Sequence, residues 1–184
     1  YWGAYDWQSD FPDGINYTIG TSDPATDLNT VHWSVFGPTP NDPRVEYDTT
    51  HDWTINFPLT EDDLAERSKA TLTIQLAGAK AASGNTDVYN ASEPYANLAL
   101  ESYINDQAEP LTLLIGFNQS SSCIVRSAVS CYQVRSRMEF PADWLKVSNN
   151  VLTLHLPYNA TDTETAILPA TVYVQYDALR LEVS

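Results

Sequence analysis

Apolar residues recur at every second position along most of this chain. Trp53, Ile55 and Phe57 alternate with Thr54 and Asn56, and Leu72, Ile74 and Leu76 with Thr71, Thr73 and Gln75. Leu98, Leu100, Ser102 and Ile104 share one phase; so do Leu113, Ile115 and Phe117, and again Leu152, Leu154 and Leu156. Val134, Ser136, Met138 and Phe140 oppose Gln133, Arg135, Arg137 and Glu139. A period of two marks strands with one buried face, and the Thr, Asn, Gln and Arg on the opposite phase suit a sheet wetted on that side. Several short strands of this kind, separated by turn residues, predict an all-β sandwich or barrel.

Two local features interrupt the alternation. Thr60-Glu61-Asp62-Asp63-Leu64-Ala65-Glu66-Arg67 has a Thr N-cap and acids in the first turn, which predicts a short helix. Pro141-Ala142-Asp143-Trp144-Leu145 predicts one further turn. In the last run, Val172, Val174 and Tyr176 hold one phase and Leu179, Leu181 and Val183 the other. The slip at Asp177-Ala178 predicts a β-bulge, the device by which a strand gains one residue and re-aims its side chains. The Pro- and aromatic-rich opening reads as an N-terminal arm or linker over residues 1–14, followed by one domain over 15–184. The first residue is Tyr1, with no initiating Met and no leader, as expected of a processed or excised piece.

Charge narrows the partners. With 9 basic and 24 acidic residues the formal net charge is −15, which disfavours nucleic acid and anionic membrane surfaces. No apolar run approaches the roughly 20 residues that cross a bilayer as a helix. Sequons at Asn16, Asn90, Asn118 and Asn159 point to a secreted, extracellular glycoprotein. Cys123 and Cys131, eight positions apart, are the only cysteines; across a loop in an oxidising compartment they suit a disulfide.

The sequence holds no G-x-S-x-G elbow, no H-E-x-x-H and no P-loop. His32, His51 and His155 have no nucleophile or metal constellation beside them in sequence. Instead, the charge distribution singles out one region. Between Glu109 and Glu139 there is no acid, while Arg126, Arg135 and Arg137 fall there. A guanidinium forks onto a carboxylate or vicinal hydroxyls, so this stretch is the expected glycan site, against the plainer reading that its arginines pair with surface acids. Asn118, at the end of an alternating strand, and Tyr132 are expected beside Arg126, with Arg135 next to them. Trp33, Tyr89, Tyr95 and Tyr132, in or beside loops, are the aromatics expected to reach solvent, with Trp33 a further expected carbohydrate-binding residue, and Trp53 and Trp144 are expected to pack inside. Asp177, at the strand irregularity, is the candidate metal ligand, because calcium takes several hard oxygens from carboxylates and carbonyls.

The order of segments resembles the third, C-terminal domain of the rhamnogalacturonan lyases of polysaccharide lyase family 4. The stretches that carry the resemblance are Asn16-Tyr17-Thr18-Ile19-Gly20, Asp52-Trp53-Thr54-Ile55-Asn56-Phe57 and Ala70-Thr71-Leu72-Thr73-Ile74-Gln75-Leu76. Later ones are Leu114-Ile115-Gly116-Phe117-Asn118, Val151-Leu152-Thr153-Leu154 and Val174-Gln175-Tyr176-Asp177-Ala178-Leu179-Arg180. The resemblance implies a jelly-roll sandwich similar to galactose-binding and carbohydrate-binding modules. It also implies catalytic residues located in another domain of the parent protein, and a structural calcium held by an Asp near the last strand, here Asp177. The loop 126–132 departs from the family pattern, with a cysteine in place of the usual glycine before the aromatic. The expected function is thus a non-catalytic, monomeric module that holds rhamnogalacturonan, pectin or an associated cell-wall glycan. A structural buttress for a catalytic partner and a stand-alone polysaccharide-active enzyme are the alternatives.

Overall fold

The computed structural model describes residues 10–35, 52–80, 99–114, 134–156 and 171–184, with backbone alone at 33–35, 80 and 171–173. Among the described residues nine strands form two sheets. They are β1 (Ile15–Thr18), β2 (Val31–Val35), β3 (Trp53–Leu59), β4 (Lys69–Lys80), β5 (Ala99–Ile104), β6 (Leu111–Leu114), β7 (Val134–Pro141), β8 (Ser148–His155) and β9 (Thr171–Val183). One sheet has the order β1-β3-β8-β5-β6, the other β2-β9-β4-β7. Only β1 against β3 is parallel among these pairings; the others are antiparallel. The two sheets pack as a sandwich, the architecture expected of a jelly roll.

The alternating residues meet between the sheets. Trp53, Ile55 and Phe57 of β3, Leu100 and Ile104 of β5, and Leu152 and Leu154 of β8 face Leu72, Ile74 and Leu76 of β4 and Val174 and Tyr176 of β9, all buried. β4 is the central ladder of its sheet, paired to β7 on one side and β9 on the other. The expected bulge is present. Gln75 pairs with Ala178 and Leu76 with Tyr176, so Asp177 is the extra residue on β9; Leu76 to Gly78 is a second shift, which leaves Ala77 extra on β4. The paired slips let Tyr176 and Leu179 both face inward although they lie in opposite phases.

The short elements follow their sequence signals. Helix α1 (Glu61–Leu64) ends short of the expected Arg67, because Ala65 has a non-helical ψ of 125° and Glu66 a positive φ of 59°; its N-terminus is closed by a capping box. Thr60 Oγ1 accepts from the Asp63 N–H at 3.3 Å, and the Thr60 N–H donates to Asp63 Oδ2 at 2.8 Å. The Thr60 hydroxyl also donates to Asp63 Oδ2 at 2.6 Å, and this bond, with that from the Thr60 N–H, holds the Asp63 carboxyl below its usual range. A 3-10 turn at Ala142–Trp144 sets Trp144 against Phe140, ring centroids 5.5 Å apart. Buried Asn150 accepts from the Lys146 N–H and donates to the Lys146 carbonyl, both at 2.8 Å, and also accepts from Asn105 at 3.0 Å, so its amide is satisfied inside the core. Phe11, within the stretch read as an arm, packs against the core.

β2 differs from the expectation that Trp33 sits in or beside a loop. Trp33 is the middle residue of a strand paired to β9. The inward residue of β2 is His32, fully buried. It stacks on Trp53 with centroids 4.9 Å apart and planes 15° apart, and its Nδ1 lies 3.0 Å from Tyr176 Oη.

Candidate functional site

The strand order brings arginines from two distant segments to one surface. Residues directly opposite in neighbouring strands share a face. Thr73 of β4 pairs with Arg137 of β7 on one side and Arg180 of β9 on the other. Gln75 pairs with Arg135, and Thr71 with Glu139 and Glu182. The outward face of the four-stranded sheet is therefore a lattice of three cross-strand rows with β4 as its spine. Arg137 and Arg180 flank that spine, two strand spacings or roughly 10 Å apart at the backbone.

The electrostatics of the face depart from those of the chain. Lys69, Arg135, Arg137 and Arg180 stand among Glu139, Glu182 and Asp177, four cations to three carboxylates on a protein of net charge −15. Arg180 Nη2 donates to Glu182 Oε1 at 2.8 Å, and Lys69 Nζ lies 3.5 Å from Glu139 Oε2. Arg135 and Arg137 are exposed and pair with no carboxylate among the described residues. Beneath the arginine row, Thr73 is 5% exposed and its Oγ1 has no hydrogen-bond partner among the described residues. Arg135 and Arg137, exposed and without a carboxylate partner among the described residues, suit a planar anion that accepts several hydrogen bonds, such as a uronate carboxylate.

The outward face of the five-stranded sheet has different chemistry. Its middle row is Asn16, Thr54, Thr153 and Tyr103. Beside it, His155 Nδ1 lies 2.7 Å from Asp52 Oδ1, Glu101 sits opposite His155, and Tyr103 Oη donates to Glu101 Oε2 at 2.8 Å. The bond to Glu101 pushes the Tyr103 hydroxyl above its usual pKa. This surface is neutral to acidic. It also carries the first sequon, with Asn16 Oδ1 accepting from Asn56 Nδ2 at 2.7 Å.

The remaining expected residues divide as follows. Asp177 is exposed at the bulge, and its Oδ2 accepts from Gln75 Nε2 at 2.6 Å. No group of three His, Cys, Asp or Glu side chains suited to a metal occurs among the described residues. A calcium ion at Asp177 would thus draw most of its oxygens from carbonyls and water. The side chain of Trp33 lies outside the described residues, as do Asn118, Arg126, Tyr132, Cys123 and Cys131 and the sequons at Asn90 and Asn159. Arg180 and Thr73 were absent from the expected site. The signal for Arg180 lay in the phase slip: once Leu179 and Leu181 turn inward, Arg180 must turn outward.

Comparison with known proteins agrees with this architecture. The family model described as "CBM-like: Polysaccharide lyase family 4, domain III" matches residues 4–181. The chain is 98% identical over 172 residues to a probable rhamnogalacturonate lyase B of Aspergillus niger, covering 94% of this chain and 24% of that protein. It is 73% identical to rhamnogalacturonate lyase B of Emericella nidulans, covering 99% of this chain and 28% of the relative. With a probable rhamnogalacturonate lyase C of Aspergillus oryzae the identity is 45%, over 95% of this chain and 25% of the relative. The chain thus spans about a quarter of the length of the curated relatives it matches.

Proposed function

The chain belongs to the CBM-like domain III family of polysaccharide lyase family 4, and we propose that it is a non-catalytic module that holds acidic plant cell-wall polysaccharide for a secreted lyase of which it forms part. The observation that carries this reading is the exposed pair Arg135 and Arg137, without a carboxylate partner among the described residues, on the outward face of the four-stranded sheet. A polymer of uronates is repelled by most of this surface, because the protein is strongly acidic. The same repulsion favours the one described face where cations outnumber acids. Arg135 and Arg137, without described partners, lose no existing ion pair when a carboxylate arrives. The names of the relatives support a rhamnogalacturonan-type ligand. The lyase chemistry itself belongs, in this reading, to the three quarters of the parent that lie beyond this domain.

Titration of rhamnogalacturonan oligosaccharides into wild type, Arg135→Ala/Arg137→Ala and Arg126→Ala tests the proposal. The double variant is expected to bind at least about tenfold more weakly, the loss of one or two charge-assisted hydrogen bonds. Added salt should erode wild-type binding in parallel. Equal affinity in wild type and double variant, with loss only in Arg126→Ala, would move the site to the acid-free loop with Asn118 and Tyr132. Equal affinity in all three would leave the buttress reading. The Asp52–His155–Glu101–Tyr103 cluster is the ground for the enzyme alternative, and release of unsaturated product by the purified domain would establish it.

A further inference from the structure

Among the described residues the sandwich is open along one side. β1 accompanies β3 only from Trp53 to Asn56, with one more bond from the Ile19 N–H to the Asn56 carbonyl at 2.9 Å. Phe57, Pro58 and Leu59 have no strand on that flank among the described residues. β2 likewise accompanies β9 only from Thr171 to Gln175, and the Tyr176 N–H then bonds to the Thr30 carbonyl at 2.8 Å. Beyond the bulge, residues 178–183 pair with β4 alone among the described residues. Two shortened edges therefore lie one above the other and leave a seam into the core. The seam holds two adjoining cavities of about 320 and 270 Å³, which share Ile19, Ile55 and Leu179. Its walls are mostly apolar, and Phe57, Leu72, Leu181 and Val183 line the larger part together with Arg180. Ile19 stands at the mouth, 53% exposed.

An apolar seam between unpaired strand edges exposes a protein to aggregation unless something covers it. From this geometry we infer that the seam is the docking face for the remainder of the parent lyase chain, which seats aliphatic or aromatic side chains of an adjoining domain against Ile19, Phe57, Leu179 and Leu181. The argument for that occupant is the length of the relatives. In each of those compared, this domain is about a quarter of a single polypeptide, so a body roughly three times its size is always tethered to it. Tethering raises the local concentration of the partner to the millimolar range, where a modest apolar contact is enough to keep two domains together. The inference does not require glycan binding: Arg180 lines the larger cavity, but Arg135 and Arg137 do not line either one.

Amide hydrogen exchange on this chain alone and on full-length Aspergillus niger rhamnogalacturonate lyase B provides the test. Amides at 19–22 and 178–183 are expected to exchange about tenfold or more slowly in the full-length protein, while those of β5 and β8 keep similar rates. Ile19→Asp places a charge at the mouth without emptying the core. In the full-length protein it should return the 178–183 rates to those of the isolated domain; in the isolated domain it should leave the melting temperature unchanged. Equal exchange in the isolated and full-length proteins overturns the inference. So does protection in the isolated chain, which would mean a second copy if it rises with concentration and a segment of the chain itself if it does not.

Discussion

The two halves of β9 have similar apolar content and opposite surroundings. Up to Tyr176 the strand lies between β2 and β4 and under Trp53, and both Val174 and Tyr176 are buried. After Asp177 it has, among the described residues, β4 on one side only, and Leu179, Leu181 and Val183 are half-buried at the seam. Residue type does not separate the two halves; the lengths of their neighbours do. A strand contributes its full burial only where both adjoining strands and the opposing sheet extend as far as it does. The bulge keeps the apolar row inward in both halves, but it cannot supply the missing edge.

The sharpest way to break this comparison is to remove one large side chain from each half. Trp53 is 2% exposed and stacks on His32, so Trp53→Ala should cost about 3–5 kcal/mol. Leu181→Ala empties a site already open to water and should cost only about 1–2 kcal/mol, mostly lost transfer energy without an enclosed cavity. Urea denaturation with unchanged slope reads both. Equal costs would mean that the open half is as well packed as the closed one.

Much of this was legible in the sequence, for a physical reason. Alternation around Trp53, Leu72 and Leu152 reports burial on one face, and the slip at Asp177 reports the bulge, because both are local constraints on backbone phase. The capping box at Thr60 is equally local. β2 was not legible, because its inward residue is a histidine. Val31, Trp33 and Val35 imitate an apolar row, while His32 takes the core position, stabilised by Trp53 and Tyr176 from segments 21 and 144 residues away. The arginine row was half legible. Arg135 and Arg137 announce their shared face by spacing, but only the ladder order places Arg180 across β4 from Arg137. The seam was not legible at all, since it depends on how far two strands fail to extend.

The closed half should also carry a pH signature. Burial pushes the Tyr176 hydroxyl well above its ordinary value of 10.0. A group whose pKa is raised on folding contributes stability that is complete below the unfolded value and is lost as pH climbs from there toward the folded value. Wild type should therefore hold its stability up to about pH 10 and then lose up to about 1.4 kcal/mol per pH unit from this group. Tyr176→Phe should lose about 1 kcal/mol at neutral pH, through the broken contact with His32, and show a shallower alkaline decline. Tyr103 is also pushed up, but it is present in both proteins and cancels in the comparison. Parallel alkaline limbs in the two proteins would place the loss elsewhere than the closed half.

The smallest effect is expected at the pivot between the halves. Asp177 is exposed, and its described partner is Gln75, so the hydrogen bond alone contributes less than about 1 kcal/mol. We propose that the same carboxylate also lends an oxygen to a calcium ion that steadies the bulge. One carboxylate, with carbonyls and water supplying the rest, makes a weak site, of the order of 10⁻⁴ to 10⁻³ M as in extracellular modules. A ligand that binds only the folded state stabilises through its free concentration relative to its dissociation constant. A few millimolar calcium should therefore add about 1 kcal/mol, and a chelator should remove it. Gln75→Ala and Asp177→Ala separate the two roles. Gln75→Ala loses the hydrogen bond and keeps the calcium-dependent rise in melting temperature; Asp177→Ala loses both. If wild type melts at the same temperature with calcium and with chelator, the carboxylate serves the bulge through Gln75 alone, and the open half of β9 is held by β4 without help from a metal.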